Sequence, residues 1–284
     1  MTEAADWAGR MGRDWAGQVA ALERQLEGVG NIGLAALAAK LGERVIDLGC
    51  GSGPTLASIA EAVGATGRAT GVDISAELVA MARARIAGLT QAEVIEADAG
   101  TYVFESGYDA LFSRFGCMFF DNPAAALGNL RAALRPGGRA LLVVWSDPKA
   151  NPWAAVPAKV ADDILGPSAQ PPVPGAPGPF AWAEEARFRN ILKDAGFSEI
   201  TAEEQAVELA VGVSGDGSPV QRATAVMSKV GPLARRIREA EETSWDLRIQ
   251  KSALFTALGA ALTPYAREGW VRMPGRIWLI RATA

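Results

Sequence analysis

The sequence predicts an α/β protein built on a doubly wound, mostly parallel sheet, with helical lid insertions around it. Three observations carry that prediction. Between residues 44 and 145, short β-type runs alternate with helical stretches long enough to cross over a parallel sheet. The first run leads into "GCGSGP", Gly49–Pro54, which places three glycines in five positions. Aspartates recur at or near the ends of the first three runs, at Asp47, Asp73 and Asp98.

The elements follow in order. Residues 1–42 read as helical, with Trp7, Met11 and Trp15 at i, i+4 and i+8 on one face. The expected strands are "RVIDL", "ATGVDI", "AEVIEA", "YDALFS" and "RALLVVW". The helices between them are "PTLASIAEAVG", "AELVAMARARIAGL" and "NPAAALGNLRAALRPGG", the last stopped by its "RPGG". Nine of the sixteen prolines fall between Pro148 and Pro179, so 147–182 is expected to be a long irregular loop. A helix near 183–195 and a strand "SEITAEEQAVELAV" come next. Residues 217–266 read as two helical pieces broken near "VGP", forming a cap, and 269–284 as a terminal strand. The whole of 1–284 is expected to be one domain, with 43–146 as its cofactor-binding core.

Composition narrows the chemistry. Of 284 residues, 49% are hydrophobic and 21% charged, and the net charge is −4. An acidic balance disfavours nucleic acid or an anionic membrane as partner. The basic cluster "ARRIRE" reads as a solvated helix face. "MTEAADWAGR" has neither a basic nor an apolar leader region, so a cytoplasmic location without membrane insertion is expected. Two cysteines make no disulfide framework, and no metal site is expected. The chain has no histidine, which removes the usual neutral-pH base and with it Ser-His-Asp and Cys-His catalysis.

The glycine turn lets a ligand approach bare backbone between a strand and a helix. Asp73 lies twenty residues beyond Gly53 and can accept from both ribose hydroxyls of a nucleoside. Two ligands compete for such a turn. A dinucleotide loop wants glycine where Pro54 stands, and a carboxylate at Asp47 would repel its pyrophosphate. S-adenosylmethionine has an amino group and no phosphate, and is the ligand preferred on those grounds.

Taken in sequence, "VIDLGCGSG", "GVDIS", "EADAG", "YDALFSRF" and "LRPGGRALLVVW" resemble the motifs of class I S-adenosylmethionine-dependent methyltransferases. The nearest subgroup is the ubiquinone-biosynthesis-like (type 11) small-molecule branch. The resemblance covers 44–146 and implies a seven-stranded Rossmann-like sheet with an antiparallel terminal hairpin. It implies that Gly49, Gly51 and Gly53 lie against the methionyl part and that Asp47 orders the loop and the amino group. It also implies Asp73 on the ribose, Ile74 on the adenine face, Asp98 with Ala99 at the adenine edge, and the Ser113 carbonyl under the sulfonium.

The acceptor pocket is expected above the strand ends, from Arg114, Phe115, Met118, Phe119 and Trp145, with Trp15 as a lid. Arg114 there invites an anionic acceptor. No catalytic residue is assigned; Asp121, Tyr102 and Glu105 are candidate bases. The expected function is methyl transfer to an O, N or C atom of a small apolar or aromatic molecule, with a homodimer left open. A non-catalytic cofactor-binding sensor, or an aminopropyl-type transferase on the same fold, are the alternatives.

Overall fold

The computed structural model describes residues 4–171, 173–243 and 247–284. The first three residues of the expected lid, one proline of the expected loop at 172, and 244–246 of the expected cap lie outside the described residues.

The chain opens with α1 (Ala4–Ala8), α2 (Arg10–Ala16) and α3 (Val19–Leu37). The expected Trp7–Met11–Trp15 stripe is therefore split between two helices, because the first ends before Gly9. The break still brings Trp7 and Trp15 together, with ring centroids 5.6 Å apart. Helix α2 is seated tightly against Ser75: a Cβ at Gly12 would fall 2.3 Å from its Oγ.

The five expected parallel strands form as β1 (Arg44–Leu48), β2 (Arg68–Asp73), β3 (Ala92–Glu96), β4 (Tyr108–Arg114) and β5 (Leu134–Trp145). Helices α4 (Pro54–Val63), α5 (Ala76–Arg85) and α6 (Pro123–Ala133) connect them. Each helix start has a local cause. Pro54 and Pro123 occupy first-turn positions where a missing N–H costs nothing, and the Ser75 and Asn122 side chains accept from Leu78 N and Ala125 N. Strand β5 begins earlier than expected: its pairing with β4 jumps from Tyr108–Leu134 to Ala110–Arg139, so "RPGG" is a bulge inside the strand rather than a stop before it.

The remaining elements are α7 (Pro152–Leu165), α8 (Glu185–Asp194), β6 (Ser198–Val211), α9 (Pro219–Met227), α10 (Pro232–Thr243), α11 (Leu247–Leu262), β7 (Ala266–Arg267) and β8 (Trp270–Thr283). The sheet runs β3-β2-β1-β4-β5-β8-β6, with the two-residue β7 pairing only β8. Strand β8 lies antiparallel between β5 and β6. This is the seven-stranded, mostly parallel Rossmann-like sheet, plus one short extra ladder. Its core combines Val45, Ile46, Leu111, Phe112 and Val143 with Leu56, Ile59 and Val63 of α4, all essentially unexposed.

Two expectations change. The 147–182 segment is not irregular throughout, since α7 occupies fourteen residues of it. Proline counting misleads here: Pro152 sits in the first helical turn, and Pro157 is buried within the helix. Asn151, fully buried, clamps the entrance to α7. Its Nδ2 donates to the Asp147 and Arg276 carbonyls, and its Oδ1 accepts from Arg276 N and Trp153 Nε1. Within the 217–266 cap the described helices are α9, α10 and α11, and "VGP" separates the first two as expected. The "ARRIRE" arginines are not a free solvated face either. Arg235 and Arg236 donate to Gln170 O and Gly166 O and pair with Glu239, pinning the loop after α7. Among the described residues, no helix is long and apolar enough to cross a membrane.

Candidate cofactor and acceptor site

The strand order reverses between β1 and β4, and a cavity opens at the carboxyl ends of the strands around that point. Its floor is the glycine turn. Gly49, Gly51 and Gly53 all adopt positive φ, at 66°, 57° and 83°. Two of them have separate reasons to lack a side chain. A Cβ on Gly49 would meet Gly116 Cα at 2.8 Å, where the ends of β1 and β4 touch. A Cβ on Gly51 would meet no protein atom within 4 Å, so that position presents bare backbone to open space.

Asp73 ties this turn in place. One carboxylate oxygen accepts from Gly51 N at 2.9 Å and the other from Ser75 N at 2.9 Å. Burial raises its carboxyl above the usual range, opposed by those backbone donors. A second clamp closes the outer side. Glu23 of α3 accepts from Ser52 Oγ at 2.6 Å and pairs with Arg85, whose Nε donates to Ser52 O at 2.9 Å. Helices α3 and α5 are thus joined across the glycine turn. Asp98 accepts from Gly100 N at 2.8 Å, which orders the loop beyond β3 beside Ala99.

The opposite wall is aromatic. Trp7 packs between Trp15 and Phe119, with its centroid 4.9 Å from the latter in an edge contact. Phe115 has φ 68°, a strained value for a residue with a Cβ. That turn lays its ring flat on Trp145, with centroids 4.3 Å apart and planes 10° from parallel. Trp145 leans in turn on Trp153, so a column of rings backs the wall from inside the protein.

Of the expected site residues, Gly49, Gly51, Asp73, Ile74, Asp98, Ala99, Trp15, Arg114, Phe115 and Phe119 come together around this cavity. Five others are near it without lining it. Gly53 caps α4 and abuts Ala82. Ser113 is fully buried, its hydroxyl donating to Leu48 O and accepting from Cys117 N, so it staples the β1 and β4 ends. Met118 is core, and Trp145 supports Phe115 from behind.

Asp47 is the fifth and departs most from expectation. Its side chain is 1% exposed and turns away from the cavity toward α4, where Oδ2 accepts from Thr55 Oγ1 at 2.7 Å. Its Oδ1 has no partner, and burial pushes the carboxyl up to about 7. The repulsion of pyrophosphate expected from this carboxylate therefore loses its premise. The parity of β1 explains the direction: Asp47 pairs with Phe112 and shares its sheet face. None of the candidate bases Asp121, Tyr102 and Glu105 lines the cavity, and Glu105 pairs with Arg44 instead.

Sequence reasoning missed Glu23, Ser52, Leu22, Leu26 and Cys50 as lining residues. Helix α3 arrives from outside the strand-helix repeat, and nothing in its pattern marks which residue meets the glycine turn.

Comparison with known proteins agrees with this architecture. Residues 45–138 match the family described as "Methyltransferase domain". An uncharacterized 37.1 kDa protein in transposon TN4556 of Streptomyces fradiae is 41% identical over 110 residues, 38% of this chain and 32% of that one. A demethylmenaquinone methyltransferase of Staphylococcus aureus is 28% identical over 108 residues, 38% of this chain and 45% of that one. The chain thus spans less than half the length of these relatives. Among solved structures, Haemonchus contortus phosphoethanolamine N-methyltransferase 2 with S-adenosyl-L-methionine is similar at TM-score 0.51 and 18% identity. That likeness covers 89% of this chain and 52% of the other, and is one of fold.

Proposed function

Proceeding from the match of residues 45–138 to a methyltransferase domain, we propose that the protein is a class I enzyme that transfers the methyl group of S-adenosylmethionine to a small apolar or aromatic molecule. The single observation that carries this reading is a cavity with two chemically distinct halves. One half is bare glycine backbone with Asp73 and Asp98; the other is Trp7, Trp15, Phe115 and Phe119.

The residues present fit the cofactor. Gly51 leaves room for a ligand against the main chain, and the Asp73 carboxylate is held rigidly at the cavity by two backbone donors. In this reading Gly49 and Gly51 face the methionyl part, Asp73 the ribose, and Ile74, Asp98 and Ala99 the adenine. When bound, S-adenosylmethionine supplies an already activated methyl group. What remains for the chain is alignment and exclusion of water. The aromatic wall does both: its ring faces and edges hold an apolar acceptor, and α1 with α2 supplies two of those rings, Trp7 and Trp15.

The titratable side chains lining the cavity are Glu23, Asp73, Asp98, Cys50 and Arg114. Glu23, Asp73 and Asp98 already accept hydrogen bonds, and burial drives the Cys50 thiol far up. None stands in the aromatic half as a free base. The acceptor therefore arrives with its nucleophile ionised by its own acidity, or as a neutral amine, and the rate follows proximity. The demethylmenaquinone methyltransferase relative is in keeping with a small-molecule acceptor. An aminopropyl-type transferase needs an acidic channel for a polyamine, which Trp7, Trp15 and Phe119 do not provide.

The test is incubation with methyl-labelled cofactor and a fractionated metabolite extract. Label appearing in an apolar small molecule is the expected outcome. Saturable binding of the demethylated product with no label transferred to any fraction would favour the non-catalytic sensor instead.

A further inference from the structure

We propose that Arg114 anchors the α-carboxylate of the amino-acid tail of the ligand held by the glycine turn, and is not a contact for the methyl acceptor. This rests on the methyltransferase reading above and specifies a subsite within it.

The placement comes from strand order. Asp73 and Asp98 close β2 and follow β3, on one side of the glycine turn, and that side takes the adenosine. Arg114 is the last residue of β4, on the other side of β1, where the rest of the ligand must extend. Its guanidinium is held against α3 rather than among the aromatic rings. Nη1 lies 3.4 Å from Leu26 O, and a Cβ on Gly30 would come within 3.0 Å of it. The aromatic half is built by α1, α2 and the turn at 115–119, and although Phe115 directly follows Arg114 its ring lies on Trp145 and not against α3.

Arg114 also has unspent capacity. A guanidinium carries five N–H donors in a planar fork, and the long bond to Leu26 O is the one protein hydrogen bond it makes among the described residues. It is the sole cation among the described residues lining the cavity. Asp47 lies near enough to act on it electrostatically, yet the two form no ion pair, and Asp47 spends one oxygen on Thr55. A half-buried, nearly unbonded arginine facing a cavity is suited to a planar carboxylate, which it can take two bonds at a time. Lysine would offer a point charge without that fork.

The test uses calorimetry on the full chain with two probes. S-adenosylhomocysteine has the carboxylate; 5′-deoxy-5′-methylthioadenosine has the same nucleoside and thioether but no amino-acid tail. Arg114→Met should weaken S-adenosylhomocysteine by about 10- to 100-fold, the range of a charge-assisted bidentate contact. The same variant should leave methylthioadenosine within about twofold, and Arg114→Lys should recover part of the loss. Equal weakening of both probes would mean Arg114 merely shapes the fold, and no weakening of either would free it for the acceptor; each overturns the assignment. Should Arg114→Met not fold, the unaltered protein still decides. It should bind S-adenosylhomocysteine at least about tenfold tighter than the decarboxylated analogue, and equal affinity would refute the proposal. Failure of the unaltered protein to bind either nucleoside probe would instead remove the methyltransferase reading itself.

Discussion

Replacing Asp47 by asparagine should stabilise the protein at alkaline pH and leave it little changed in mild acid. Asp47 is 1% exposed, with Oδ2 bonded to Thr55 and Oδ1 unpartnered. Burial is the largest influence on it and lifts the carboxyl from an ordinary 3.8 to about 7, against the Thr55 hydroxyl and the Arg114 charge. A carboxyl that holds its proton more tightly folded than unfolded supports the fold below its unfolded value. That support disappears as pH climbs to the folded value, because the unfolded chain ionises first. A rise of about three units is worth about 4 kcal/mol, of which roughly 3 kcal/mol is lost between pH 5 and pH 8. Asparagine keeps an oxygen for Thr55 and has no charge to bury. Urea unfolding of the ligand-free chain at both pH values should show the variant gaining about 3 kcal/mol on the unaltered protein over that interval. A gap that stays constant within about 0.5 kcal/mol would mean that Asp47 ionises normally in the fold, and the burial reasoning would be wrong.

Other outcomes follow from the same geometry. Asp73→Ala should weaken S-adenosylhomocysteine by roughly ten- to several-hundred-fold, and unchanged affinity by calorimetry would remove Asp73 from the site. Asp73→Asn should rescue little, because its amide nitrogen must face the N–H of either Gly51 or Ser75, both of which now donate to the carboxylate. Gly51→Ala should cost about 1–2 kcal/mol in stability from its φ of 57°. Since no protein atom blocks the added methyl, its further effect should appear as lost S-adenosylhomocysteine affinity, and retained affinity would move the ligand off Gly51. Asn151→Ala should destabilise by about 2–4 kcal/mol, read by urea midpoint, because buried groups of β8 and the α7 entrance lose their partner. A change below about 0.5 kcal/mol would show that Asn151 does not hold that junction.

The legible part of the site was the part built by local pattern. Gly49, Gly51, Asp73 and Asp98 are fixed by where a strand must end and a helix must begin, so their spacing alone brings them to one sheet edge. Arg114 and Phe115 were legible as neighbours of that edge for the same reason. Glu23 was not, because its place depends on how α3 docks over the glycine turn, sixty-two residues from the Arg85 it pairs with. The Trp7–Trp15 pair was anticipated as a stripe on one helix and exists instead as a contact across the break at Gly9.

By itself, the amino-acid sequence determined the parallel five-strand core, its helical crossovers and the acid-and-glycine edge, since each of these follows from short-range periodicity and turn chemistry. Only the tertiary structure decided which way side chains on that edge face. It turned Asp47 inward to Thr55, stood Ser113 between two strand ends, and aimed Arg114 along α3. The reason is that strand parity and helix docking, both long-range, set the face on which a residue emerges, and a one-residue change of register would send it to the other side.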